Sequence, residues 1–206
     1  INIMDTPGHA DFGGEVERIM HMVDGVLLVV DAYEGTMPQT RFVLKKALAA
    51  HVKPIVVINK VDRPVVRIQE VMDEVLELFM ELGADDNQLD FPTVFVSALN
   101  GTSSLDPDIS TQVPNMDCLF DMIINEIPAP AVDVEGGLQL QPALLDYNDY
   151  VGRIGIGRIQ RGSIKVNENV VCLRADGSKT QFRVQKLFSY LGMHRFEVEE
   201  ANAGDI

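Results

Sequence analysis

Asp5-Thr6-Pro7-Gly8-His9, Asn59-Lys60-Val61-Asp62 and Ser97-Ala98-Leu99 are the strings of this 206-residue sequence whose residue types could do chemistry together. Each comes straight after an apolar run. A carboxylate at Asp5 can hold Mg²⁺, usually through water because that ion dehydrates reluctantly. Gly8 has no side chain, so a bare backbone N–H there can approach a terminal phosphate oxygen. His9 could orient or polarise an attacking water. In the second string, Asp62 can accept two neighbouring donors at once, as a bidentate pair. Guanine offers such a pair, N1–H and the 2-amino group. Adenine has neither, so a carboxylate facing it would lose its partners, and that mismatch discriminates. Asn59 can tie neighbouring loops together and touch the base edge, while the Lys60 stem can lie along a ring face. In the third string, small Ser97 and Ala98 leave room for a backbone N–H to reach the guanine O6, with Leu99 next in line. Taken singly, the first two strings also suit ordinary polar turns, because Asp, Asn, Pro and Gly all favour turns.

The elements that must position these strings alternate. Residues 1–4 read as half a strand. Gly13-Gly14 opens a helix whose Val16, Ile19, Met20 and Val23 fall at i, i+3, i+4 and i+7, one stripe on one face. Residues 26–30 are a continuous, β-branched-rich run ending at Asp31, which suits a strand buried on both faces of a parallel sheet. Pro38 fits the first turn of a helix reaching about His51. Residues 54–58 make another buried strand. Ile68, Val71, Val75, Leu78 and Leu82 mark a long helix with Gly83 as its cap. Residues 93–96 make a third strand, and Leu119, Ile123 and Ile127 a last helix, stopped by Pro128 and Pro130. Strands alternating with helices imply right-handed βαβ units and an α/β fold with a parallel sheet. Ligands bind such sheets at the carboxyl ends of the strands. All three strings fall there, in chain order.

The pattern changes after residue 130. Residues 131–137 read as a linker. Short strands follow at 138–146, 152–159, 165–173 and 180–188, between turn signals such as Ala175-Asp176-Gly177-Ser178. Asp-Gly between apolar runs is a strong hairpin signal, and residues 138–206 read as a small, closed, antiparallel β-barrel. Charge divides the same way. The net charge is −14, and residues 1–130 hold 21 acids and 8 bases against 10 and 9 in residues 131–206. Residues 151–190 hold 8 bases, among them Arg153, Arg158, Arg161 and Lys165, and only 2 acids. An acidic chain repels nucleic acid at long range, so any RNA contact belongs to that segment, and no DNA partner is expected. No apolar run reaches the roughly 20 residues that cross a bilayer, so no membrane partner is expected either. Cys118 and Cys172 are far apart without metal spacing, as suits two thiols in a reducing cytosol.

The segment Asp5-Thr6-Pro7-Gly8-His9-Ala10-Asp11-Phe12 resembles the switch II region of translational GTPases, the group of elongation factors Tu and G. Several segments are more particular: Gly13-Gly14-Glu15-Val16-Glu17-Arg18, Met37-Pro38-Gln39-Thr40-Arg41-Phe42-Val43, Asn59-Lys60-Val61-Asp62-Arg63-Pro64, Gln88-Leu89-Asp90-Phe91-Pro92 and the run from Leu145 to Arg158. These resemble the TypA/BipA family of bacterial ribosome-associated GTPases, and the likeness runs over nearly the whole chain. It implies a P-loop GTPase-type sheet, GTP or GDP with Mg²⁺, hydrolysis stimulated by the ribosome, and a cytoplasmic, monomeric protein. It implies that His9 organises the attacking water, that Asp5 serves the ion through water, and that Asp5, Gly8, Asn59, Lys60, Asp62, Ser97, Ala98 and Leu99 line the nucleotide. It also implies that the following barrel touches ribosomal RNA, with Arg153, Arg158, Arg161 and Lys165 as candidates.

A P-loop needs a Gly-Lys pair followed by Ser or Thr, and these residues contain no Gly-Lys dipeptide. The family places that loop before residue 1, so the sheet is expected to lack its first strands, and the barrel to be incomplete at its far end. One missing strand is expected between the runs at 26–30 and 54–58. The 206 residues alone are then expected to hydrolyse no GTP and to be marginally stable. Two other readings stay open here: a module that only binds RNA or ribosome, and another translational GTPase such as elongation factor G.

Overall fold

The apolar runs become three parallel strands, β1 (Gly25–Asp31), β2 (Lys53–Asn59) and β3 (Thr93–Ser97), in the order β1-β2-β3. A short antiparallel strand, β4 (Thr102–Ser104), follows β3 through a turn at Gly101. The computed structural model describes residues 1–6 and 13–206. They divide into two units, Ile3–Ala129 and Pro130–Ile206, the latter taking in Ile1–Asn2.

In the first unit, helices cover both faces of the sheet, which is why its strands carry no polar alternation. α2 (Pro38–Ala49) and α3 (Ile68–Glu81) lie on one face. Leu44, Leu48, Val71, Val75, Leu78 and Phe79 pack there against Leu28, Val30, Val56, Ile58 and Phe95. On the other face α5 (Asp117–Glu126) brings Leu119, Met122 and Ile123 onto Ile55, Val57, Val94 and Val96. α1 (Gly13–Met20) sets Val16 and Met20 against Ala47, Phe42 and Val43 of α2. The stripe read from the sequence is therefore the buried one. Gly83, at φ +78°, takes up the left-handed conformation that ends α3. A short helix, α4 (Asp86–Leu89), starts at a reciprocal cap: Gln88 N–H donates to Asp85 Oδ1 (2.9 Å) and Asp85 N–H to Gln88 Oε1 (3.1 Å).

Two expectations fail. Residues 1–4 form no strand, and Ile1 and Ile3 are exposed. A strand needs a neighbour to pair its backbone groups. Among the described residues only one edge of β1 is paired, and β2 takes it. No strand is missing between β1 and β2 either. They pair directly, from Gly25 opposite Lys53 to Asp31 opposite Asn59, as a single helical crossover through α2 allows.

The second unit consists of antiparallel pairs around a small core. β5 (Gln139–Asn148) pairs with β6 (Gly152–Arg161), and β7 (Ser163–Lys165) with β12 (Glu200–Asn202). β8 (Asn169–Leu173) pairs with β9 (Lys179–Arg183), and β10 (Leu187–Leu191) with β11 (His194–Val198). Ile159, Ile164 and Val184 are the buried centre. Single backbone bonds tie the segment after β12 to β6: Ile159 N–H donates to the Asp205 carbonyl (2.9 Å) and Gly204 N–H to the Ile159 carbonyl (2.8 Å). The run expected as one strand over 165–173 breaks at Asn167, whose φ is +70°. Residues 131–137 are tied to the second unit by backbone bonds. Gly162 N–H donates to the Asp133 carbonyl (2.8 Å), and Gly136 N–H to Asp133 Oδ1 (3.0 Å). Among the described residues no helix is long and apolar enough to cross a membrane.

Candidate functional site

Parallel strands deliver their last residues to one rim. Asp31 ends β1, Asn59 ends β2 and Ser97 ends β3, with Asp31 directly opposite Asn59. The Asn59 side chain joins two of the predicted strings. Its Oδ1 accepts the N–H of Lys60 (2.7 Å) and the N–H of Ala98 (3.1 Å). Backbone bonds repeat the link: Ala32 N–H donates to the Asn59 carbonyl (2.8 Å), and Val61 N–H to the Val96 carbonyl (3.3 Å). The turn closes when Arg63 N–H donates to the Lys60 carbonyl (3.2 Å).

Lys60 sits in the left-handed region, at φ +65°. That conformation is costly for a residue with a Cβ and persists only where the surroundings impose it. Here both ends of the residue are held. Its N–H goes to Asn59, and its Nζ lies 2.8 Å from Asp31 Oδ2. Asp62, two residues on, is exposed. Ser97 is buried, and its Oγ accepts the Asn100 N–H (3.2 Å). Leu99 is 87% exposed, so its side chain touches little.

The structure thus brings Asn59, Lys60, Asp62, Ser97 and Ala98 to one end of the sheet. The Ala98 N–H, assigned from the sequence to a base oxygen, is taken by Asn59 here. Asp5 lies exposed in an irregular segment. Gly8 and His9 lie outside the described residues. Among the described residues no group of three or more His, Cys, Asp or Glu side chains is arranged to hold a metal.

Asp31 was read only as the end of a strand, yet it is the electrostatic centre of the rim. Its Oδ1 accepts the N–H groups of Tyr33 (2.8 Å) and Glu34 (3.2 Å), and its Oδ2 faces Lys60 Nζ and Arg63 Nη1 (3.3 Å). Partial burial pushes the carboxyl up, but Lys60 and the two N–H groups bring it down to about 2. An acid in line with Asn59 on the neighbouring strand was the available signal. Arg67 was missed as well. Its Nε donates to the Tyr33 carbonyl (2.6 Å), its Nη2 to the Glu34 carbonyl (3.1 Å) and its Nη1 to Glu74 Oε1 (2.5 Å), while Glu74 Oε2 accepts Thr36 N–H (3.2 Å). The loop after β1 is thereby fastened to the start of α3.

The four basic candidates all sit on β6 and β7. Arg153 is exposed and Arg158 is half-buried. Arg161 Nε lies 3.6 Å from Asp133 Oδ2, and Lys165 Nζ 3.3 Å from Glu200 Oε1.

Residues 1–129 match the model of the elongation factor Tu GTP-binding domain family. The large ribosomal subunit assembly factor BipA of Bacillus subtilis is 62% identical over all 206 residues, and that of Escherichia coli O6:H1 is 56% identical over the same span. These 206 residues amount to 33% and 34% of the two relatives, so the chain spans about a third of their length. Among solved structures, the translation elongation factor SelB of Methanococcus maripaludis, in complex with the GTP analogue GppNHp, superposes with a TM-score of 0.71. It shares 23% identity, over 98% of this chain and 40% of that one, which is a likeness of fold.

Proposed function

Because the chain belongs to the elongation factor Tu GTP-binding domain family, we propose that its parent is a BipA-like GTPase that binds guanine nucleotide at the carboxyl ends of β1, β2 and β3. One observation carries the reading. The Asn59 carboxamide holds the turn bearing Asp62 and the loop bearing Ala98 together, leaving Asp62 exposed at the rim. A carboxylate so placed can accept N1–H and the 2-amino group of guanine side by side. A base carbonyl seated beside Ala98 competes with Asn59 for the Ala98 N–H. Ser97 supports that loop from within, and Leu99 stands at its outer side.

The parent hydrolyses GTP to GDP with Mg²⁺. Asp5 is the carboxylate on offer to the ion. Asp5 would serve it through a water, since Mg²⁺ dehydrates reluctantly. Bound there, the ion offsets charge on the phosphates. Gly8 supplies a backbone donor to the terminal phosphate, and His9 orients the water that attacks it in line. The 206 residues contain no Gly-Lys dipeptide, so the phosphate cradle of a P-loop is not among them, and alone they turn over no GTP.

The parent acts on the ribosome in the cytoplasm, as a monomer without DNA or membrane partners. The name shared by the BipA relatives, large ribosomal subunit assembly factor, supports the ribosome as partner. The second unit meets ribosomal RNA through its basic strands, where Arg153, Arg161 and Lys165 are exposed. Fluorescent GDP titrated into the intact protein tests the reading. GDP should displace the probe and ADP should not. His9→Ala should keep that affinity and lose ribosome-stimulated turnover, whereas equal turnover removes His9 from its role. An intact protein that holds no GDP ends the reading.

A further inference from the structure

The two Asp31 oxygens do different work. Oδ1 accepts from Tyr33, Glu34 and Arg63 Nη1 (3.4 Å), while Oδ2 makes no hydrogen bond and lies 2.8 Å from the Lys60 ammonium as an ion pair. The pair is lopsided: the Asp31 side chain is 11% exposed and that of Lys60 49%. The acid is the fixed member, anchored in the sheet and by two backbone donors. The lysine is the long, flexible member, carried on a backbone in a left-handed conformation. An unanchored lysine side chain loses its rotamer freedom when it is made to stand still. An ammonium already fixed by a carboxylate has lost much of that freedom before any ligand arrives.

We infer that Asp31 is a positioning residue for guanine binding, acting through Lys60: its carboxylate fixes the ammonium so that the lysine stem stands ready along the purine ring. This rests on the proposed nucleotide site and names a residue of it that no motif marks. Nothing in the geometry gives Asp31 contact with the nucleotide itself. Arg63 Nη1, 3.3 Å from the same oxygen, adds positive charge and keeps the carboxyl anionic, in keeping with its lowered pKa.

Asp31→Asn separates the two jobs, because the amide oxygen can still accept from Tyr33 and Glu34 while the charge facing Lys60 is gone. In the intact protein, release of fluorescent GDP should quicken about three- to tenfold, the range of a partly buried ion pair. Lys60→Met, which keeps most of the stem and loses the ammonium, should do the same. The double variant should be no faster than the quicker single, because both changes remove one interaction. Effects that multiply, or an Asp31→Asn protein that releases GDP as slowly as the unaltered one, overturn the inference. If Asp31→Asn fails to fold, Asp31→Glu takes its place in the cycle. It keeps the charge but displaces it by one methylene, and the same coupling is expected at smaller size. Failure of the underlying site looks different: the unaltered protein would not bind GDP, or Asp62→Asn would bind it unchanged. Normal binding with a sensitive Asp62 and an uncoupled Asp31 sinks only this inference.

Discussion

The carboxyl of Asp31 falls from 3.8 to about 2 because Lys60, Tyr33 and Glu34 outweigh the burial that opposes ionisation. A carboxyl more acidic in the folded state stabilises that state above the unfolded value, and the contribution fades as pH falls through the folded one. The window here runs from about pH 4 down to about pH 2. Between those limits the intact protein should lose more stability than its Asp31→Asn variant, as followed by urea midpoints at several pH values. Parallel acid profiles would mean that the carboxylate gains nothing from its neighbours. At this scale the sequence was partly legible. Asn59 does tie two loops together, as its type and place suggested. Asp31 went unread because its partner is 29 residues away in sequence, and only the register of β1 on β2 makes them neighbours. The Ala98 N–H, which the sequence offers to a guanine O6, is held by the Asn59 carboxamide in the structure.

Elements were legible where an apolar period is long, and lost where a short polar stretch takes its structure from context. β1, β2, β3, α2, α3 and α5 follow from their patterns, since burial on both faces leaves continuous apolar runs and burial on one face leaves a stripe. β4, with only Thr102, Ser103 and Ser104, has no such pattern, and its pairing comes from the turn at Gly101 and from β3. Residues 1–4 have the composition of a strand but pair with no strand among the described residues. The loop between β1 and α2 shows how an element boundary is enforced. Gly35 has a φ of +76°, and a Cβ built there would come within 2.0 Å of Glu74 Oε2 and 2.9 Å of Arg67 Nη2. Both atoms are already committed to the clasp on this loop. Gly35→Ala should therefore cost about 1–3 kcal/mol, the strain of a left-handed non-glycine plus the displaced clasp. Gly83→Ala, at φ +78° but with nothing within 4 Å of the new methyl, should cost only about 1 kcal/mol. Urea unfolding of the two variants gives the comparison, and equal midpoints would show that the clasp contributes nothing.

Across the whole chain, charge and fold divide together. The acidic residues concentrate in the unit with the parallel sheet and the bases in the antiparallel pairs that follow. The count of bases overstated what the second unit presents, because Arg161 and Lys165 each face an acid, Asp133 and Glu200, that is distant in sequence. The identity with BipA over all 206 residues and the parallel sheet with its loaded rim lead to one central claim, that Asp62 reads guanine. Carboxamide at that position offers a donor where guanine needs an acceptor, and it matches xanthine, whose C2 carries an oxygen. The direct measurement is competition of GDP and xanthosine diphosphate for the intact protein, unaltered and with Asp62→Asn. The account predicts a loss of GDP affinity of at least about tenfold, one broken charge-assisted contact, with a gain for the xanthine nucleotide. Unchanged preference for GDP in Asp62→Asn would contradict it.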